Sequence, residues 1–221
     1  MGYPEDASGN LASGGSIGNL IAIVTARDYK NIESLNISKS VIYLTSQVHH
    51  CVQKAIRIAG LKQAQITYIP VDENFKMDTK ILRQQIQDDI ESGKNPFLLI
   101  GSAGTTDVGA IDPLDKLADI ANEFDLWFHV DGAYGGFFNL TEDGKKKLKG
   151  IERSDSLVID PHKGLFLSYG LGAVLIKNVK AQQDAHFYQA NYMQDALLNT
   201  EEISPADLSP ELTKHLSLIH I

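Results

Sequence analysis

Six short apolar runs rich in β-branched residues recur along the chain, at 41–44 (VIYL), 66–69 (ITYI), 97–100 (FLLI), 126–130 (LWFHV), 157–159 (LVI) and 173–176 (AVLI). Each has strand length and is almost continuously apolar rather than alternating, the pattern of strands covered on both faces. Between them, segments 17–27, 48–59, 79–91 and 114–124 place apolar residues at three- and four-residue steps and predict helices. In the last of these Leu114, Leu117, Ala121 and Phe124 form one stripe, while Asp115, Asp119 and Asn122 face away. Pro113, just before it, suits a first helical turn. Strand and helix in alternation predict an α/β fold, a mostly parallel sheet with helices on both faces. The residues before the first helix (YPEDASGNLA) make a poor strand.

The alternation stops near 191. Asn191, Asn199, Ser204, Pro205, Ser209 and Pro210 are scattered through a polar stretch that predicts a long mobile loop. The chain therefore divides into a large domain over 1–190 and, over 191–221, the loop with its continuation. The first helical pattern begins almost at once, and the closing LSLIHI resembles neither a helix end nor a polar tail. The expectation is a chain truncated at both ends.

Composition narrows the partners. The 221 residues are 43% hydrophobic and 22% charged, enough for one large domain with a sizeable core. A formal net charge of −8 disfavours nucleic acid and anionic membrane surfaces. The one basic run, KKKLK at 145–149, reads as a solvated helix face. Cys51 is the single cysteine, so no internal disulfide can form, and a cytoplasmic location is expected. No apolar run reaches the ~18 residues of a membrane span. The start has neither the basic end nor the apolar stretch of a signal peptide, and Asp6 stands where a myristoylation motif takes Ser or Thr.

In parallel α/β sheets ligands bind beyond the carboxyl ends of the strands. Those ends carry Thr45 and Ser46, then 102–106 (SAGTT), 131–134 (DGAY) and 160–163 (DPHK). Asp131 and Lys163 lie 32 positions apart, room for one crossover and a second strand, so two strand ends could present a carboxylate and an amine to one cleft. One reading of the pair is a plain salt bridge. The other is chemical: a partly desolvated lysine amine can attack a carbonyl to form a Schiff base, and a carboxylate can protonate the pyridine nitrogen of pyridoxal phosphate. That cofactor also needs a phosphate cradle, and Ser13-Gly14-Gly15-Ser16 ahead of the first helix supplies glycines, hydroxyls and a helix N-terminus. His49 and His50 with Cys51 open the next helix. Adjacent helical positions point about 100° apart, which disfavours a metal site. An imidazole lying flat on an aromatic cofactor and a helix-capping histidine are the two readings of that location. A rival assignment is a serine hydrolase, since GGSIG at 14–18 fits G-x-S-x-G and Ser16, Asp131 and His162 follow in the α/β-hydrolase order.

The segments SGGSIGNLIAIVTAR, VHHCVQKA, GSAGTTDVGAIDPL, FHVDGAYGG and DPHKGLFLSYGLGAVLIKN, in that order and spacing, resemble the group II pyridoxal-phosphate-dependent decarboxylases, relatives of aromatic amino-acid and glutamate decarboxylases. The resemblance covers about 2–214. It implies the large domain of fold type I and decarboxylation of an L-amino acid by a homodimeric parent protein. Lys163 would carry the cofactor, Asp131 would pair with its pyridine nitrogen and His49 would stack on the ring. Gly15 and Ser16 would bind the phosphate. Thr105 and Ala133 would line the ring, and His162 and, near Asp131, His129 would add further cofactor contacts. Asp160 stands where several animal members carry Asn, and Gly164 where many carry a bulky residue. Only Tyr188 and Tyr192 lie where the family places a catalytic tyrosine. The family's N-terminal dimer-building segment and small C-terminal domain are not matched, so this fragment alone is expected to be inactive. Other outcomes are a carbon–carbon lyase or aminotransferase of the same fold type, or a non-catalytic binding module.

Overall fold

The computed structural model describes residues 1–187 and Leu208. The expected loop over 191–210, Tyr188 and Tyr192 fall outside the described residues. All six apolar runs enter one seven-stranded sheet: β2 (Ser40–Leu44), β3 (Gln65–Tyr68), β4 (Asn95–Ser102), β5 (Trp127–Asp131), β6 (Ser156–Ile159) and β7 (Gly172–Ile176), preceded by β1 (Ser8–Ala12). The strand order is β1-β7-β6-β5-β4-β2-β3. The pairs from β6 to β3 are parallel, whereas β7 runs antiparallel to both β1 and β6. The mostly parallel sheet is as expected.

The strand β1 corrects the reading of YPEDASGNLA. Its sequence, SGNLA, has weak strand propensity, but it pairs along its whole length with β7, from Ser8 opposite Ile176 to Ala12 opposite Gly172. Asn10 and Ala12 are buried while Gly9 and Leu11 are exposed, as befits an edge strand. Pairing, not propensity, makes it a strand.

Helices α1 (Gly15–Tyr29), α2 (His50–Ile58), α3 (Thr79–Glu91) and α4 (Leu114–Glu123) realise the four predicted segments. Three more follow: α5 (Glu142–Lys147), α6 (Pro161–Gly164) and α7 (Val179–His186). Because α1 is apolar nearly all round, it lies across β5, β6 and β7, with α2 and α7 at its sides. The helices α3 and α4 cover the opposite face. In β4, Leu98 and Ile100 join the core under α1, and Leu99 joins Leu82, Ile86 and Leu117 on the other side. Covering on both faces is the physical reason those runs are continuously apolar. The basic run forms the last turn of α5 and the residues after it, with its lysines exposed and Leu148 buried as the anchor. No helix among the described residues is long and apolar enough to cross a membrane.

Candidate active site

The carboxyl ends of β4, β5 and β6 and the first turns of α1, α2 and α6 enclose a cavity of about 320 Å³. Asp131 is the last residue of β5 and lies in register with Ser102 of β4 and Val158 of β6. Lys163 follows β6 on the short helix α6, which Pro161 opens. The expected crossover thus joins two adjacent parallel strands, and the carboxylate and the amine line the same cavity.

Asp131 and Lys163 are not each other's ion-pair partner. Lys163 Nζ lies 3.0 Å from Oδ2 of Asp160, and Asp160 is almost fully buried. The other oxygen, Asp160 Oδ1, is buried without a hydrogen-bond partner. Asp131 Oδ1 accepts from the backbone N–H of Ala133, and its Oδ2 from Asn19 Nδ2, both at 3.1 Å. Each oxygen keeps a lone-pair direction free.

In the same lining Gly14, with φ of +142°, leads into α1. The N–H groups of the first helical residues, Gly15 and Ser16, have no earlier turn to bond. A Cβ on Gly15 would stand 3.0 Å from the Ala133 Cβ and 3.1 Å from Asp160 Oδ2. Gly15 therefore lets the start of α1 pack closely against Ala133 and Asp160.

His49 takes the capping role and stands where the other could be filled. It caps α2, with Nδ1 accepting from the Cys51 N–H at 3.2 Å, and it also lines the cavity. Burial, followed by the neighbouring His50, lowers its pKa from the ordinary 6.5. The ring is then neutral at pH 7 with its proton on Nε2.

Thr105 is buried in the wall, its Oγ1 accepting from the Ala110 N–H at 3.0 Å. That wall is anchored by buried Asp112, which accepts 2.7 Å hydrogen bonds from the N–H groups of Ser102 and Met77. His162 lines the cavity and donates from Nδ1 to the Leu171 carbonyl at 2.6 Å. Gly164 has a packing reason: a Cβ there would meet the Phe137 Cβ at 2.7 Å, so Phe137 takes the space a larger residue would use.

His129 departs from its expected place among the cofactor contacts. It is fully buried behind Asp131, outside the cavity lining, and reaches the carboxylate only through Asn19. His129 shares the α1-covered face of β5 with Asp131 but lies two residues short of the strand end, under the helix, and only the last residue of the strand reaches the cavity. Burial holds the His129 imidazole down at a pKa of about 4, against its ordinary 6.5. The unfolded chain therefore binds a proton between those values that the folded protein does not, so stability falls as pH drops from about 6.5 towards 4. The expected loss is on the order of 3 kcal/mol. Urea unfolding across that range measures it, and His129→Gln should flatten the slope.

The serine-hydrolase triad is not assembled. His162 spends Nδ1 on the Leu171 carbonyl, and Asp131 bonds Asn19 and Ala133 instead. No group of three or more metal-ligating side chains occurs among the described residues. Sequence reasoning missed Asn19, one polar residue in an apolar helix. It also missed the pairing of Asp160 with Lys163.

The family model described as the pyridoxal-dependent decarboxylase conserved domain matches residues 1–208. The chain belongs to the pyridoxal-dependent decarboxylase family. It is 39% identical over its whole length to the aromatic-L-amino-acid decarboxylase of Bacillus atrophaeus, covering 46% of that protein. It is also 34% identical to the L-2,4-diaminobutyrate decarboxylase of Acinetobacter baumannii, over 89% of the chain and 42% of that protein. The solved structure of Oryza sativa TDC with PLP and tryptamine superposes with a TM-score of 0.86 at 26% identity, over 92% of the chain and 43% of that structure. The chain thus spans less than half the length of these relatives.

Family membership brings pyridoxal phosphate as the cofactor, and the residues of this pyridoxal-dependent decarboxylase chain fit it. Gly14, Gly15 and Ser16 line the cavity at the start of α1, Lys163 is the only amine in the lining among the described residues, and Asp131 keeps acceptor capacity.

Proposed function

We propose that the protein removes carbon dioxide from an L-amino acid using pyridoxal phosphate. The observation that carries this reading is the placement of Lys163 and Asp131 in one cavity with the Gly15–Ser16 helix start, on a chain matched by the family over nearly its whole length. When bound, pyridoxal phosphate supplies an electron sink for the carbon that loses its carboxylate.

The residues divide the remaining work. Lys163 Nζ is the amine that would hold the cofactor's aldehyde carbon and give it up to the substrate's amine. Asp131 would hold a proton on the ring nitrogen. The free N–H groups of Gly15 and Ser16 would bind the phosphate, favoured by the positive end of α1. His49, Thr105 and Ala133 would flank the ring and exclude water, with His162 at the phosphate side. Asp160 would receive the Lys163 ammonium whenever the amine is released.

A homodimer belongs to the same reading. Leu165, Phe166, Leu167 and Tyr169 stand exposed after α6, beside the cavity mouth, and an apolar rim of this kind suits a second subunit. The reading also takes the protein as cytoplasmic, on its single cysteine.

Product analysis with a panel of L-amino acids tests the reaction. Release of carbon dioxide with the matching amine supports it. A keto acid formed without carbon dioxide would replace the reading with transamination.

A further inference from the structure

Trp127, His129 and Asp131 occupy alternate positions of β5 and so share the face of the sheet that α1 covers. Ser156 of β6 is paired in register with His129, and Asn19 of α1 packs above them. Four hydrogen bonds join this row. Trp127 Nε1 donates to Ser156 Oγ at 2.9 Å, and Ser156 Oγ lies 2.9 Å from His129 Nδ1. His129 Nε2 lies 2.7 Å from Asn19 Oδ1, and Asn19 Nδ2 donates to Asp131 Oδ2 at 3.1 Å. Trp127, Ser156, His129 and Asn19 are all buried.

The direction of this chain is forced from both ends. An indole N–H can only donate and a carboxylate can only accept. Asn19 must therefore turn its nitrogen to Asp131 and its oxygen to His129. His129 then carries its proton on Nε2 and leaves Nδ1 bare for the Ser156 hydroxyl. That hydroxyl in turn accepts from Trp127. The second amide proton of Asn19 meets Cys51 Sγ at 3.4 Å. Every donor points towards Asp131, and each buried atom in the row is satisfied.

Packing alone does not call for these groups, since a leucine at 19 would suit the apolar stripe of α1 and avoid burying an amide. What the polar atoms have in common is that they end on one carboxylate oxygen. We propose that Asn19 is a positioning residue, locked by the one-way chain from Trp127 through Ser156 and His129, which fixes the orientation in which Asp131 meets the cofactor's ring nitrogen. The low pKa of His129 agrees, because a neutral imidazole can pass the direction on and an imidazolium cannot. The proposal rests on the reading of the cavity as a pyridoxal phosphate site.

The test combines a tautomer measurement with cofactor titration. In protein labelled with ¹⁵N-histidine, His129 should show a protonated Nε2 and a bare Nδ1 without any cofactor. Titration with pyridoxal phosphate, followed by its visible band, should give a dissociation constant raised roughly tenfold or more in Asn19→Leu, the loss of one hydrogen bond to a charged group. Ser156→Ala touches neither Asp131 nor the cavity, yet it should mix the His129 tautomers and weaken binding severalfold. Lys163 should still be labelled by borohydride reduction in both. A proton on His129 Nδ1 in the unsubstituted protein would overturn the chain, as would folded variants that bind with the unsubstituted constant. Failure of the unsubstituted protein to bind pyridoxal phosphate at Lys163 would instead withdraw the function reading, and the relay would be judged on the tautomer alone.

Discussion

Lys163→Ala should abolish decarboxylation, lowering kcat by roughly a thousandfold or more, while the protein stays folded. Among the described residues Lys163 is the only amine lining the cavity, so none of them can replace the covalent attachment. Arginine does not rescue it, because a guanidinium is always protonated and is no nucleophile at neutral pH. The side chain is 42% exposed and leaves little packing behind. What it does leave is buried Asp160, which loses its 3.0 Å contact and keeps only His162 Nε2, 3.8 Å from Oδ2, so a modest loss of stability accompanies the loss of activity. Adding Asp160→Asn to Lys163→Ala should restore the stability and not the activity. Urea unfolding beside amine production separates the two effects, and an active Lys163→Ala protein would contradict the assignment.

Asp131→Asn should give the second-largest effect and a different signature. The substitution keeps the shape and removes the charge that holds a proton on the ring nitrogen. Truncating one partner of a desolvated charge pair costs about 2–5 kcal/mol, which corresponds to a fall in kcat of roughly 30- to several-thousandfold. Lys163 remains, so the cofactor should still attach and still be fixed by borohydride. An amide at 131 would also turn one donor towards the N–H groups of Ala133 or Asn19, which now donate to the carboxylate. The visible band of the bound cofactor should therefore shift along with the rate. A rate within threefold of the unsubstituted protein would remove Asp131 from the chemistry.

These two residues were legible in the sequence because a parallel sheet converts strand ends into a site. The runs LWFHV and LVI announce β5 and β6, and the first ionisable groups after them are Asp131 and, past Asp160 and His162, Lys163. The place of Ser13–Ser16 in the cavity lining was legible for a similar reason, since glycines before an apolar helix mark a backbone that something approaches closely. Propensity could not show β1, whose strand character comes from its partner β7. Nor could it show that the Lys163 ammonium pairs with Asp160 three residues earlier, because that depends on the turn of α6 after Pro161. His129 was misplaced for want of one fact, that α1 covers β5 up to its last residue, so that Asp131 at the strand end reaches the cavity and His129 does not. Asn19 carried a faint signal, a polar residue inside LIAIV-type helix packing. Its meaning emerges only when α1 is laid over β5.

Reduction with borohydride in the presence of pyridoxal phosphate, followed by peptide mapping, tests the central claim most directly. A pyridoxyl group on Lys163, absent from every other lysine and lost in Lys163→Ala, is the expected result. A folded protein that binds the cofactor and carries the label elsewhere would contradict the account.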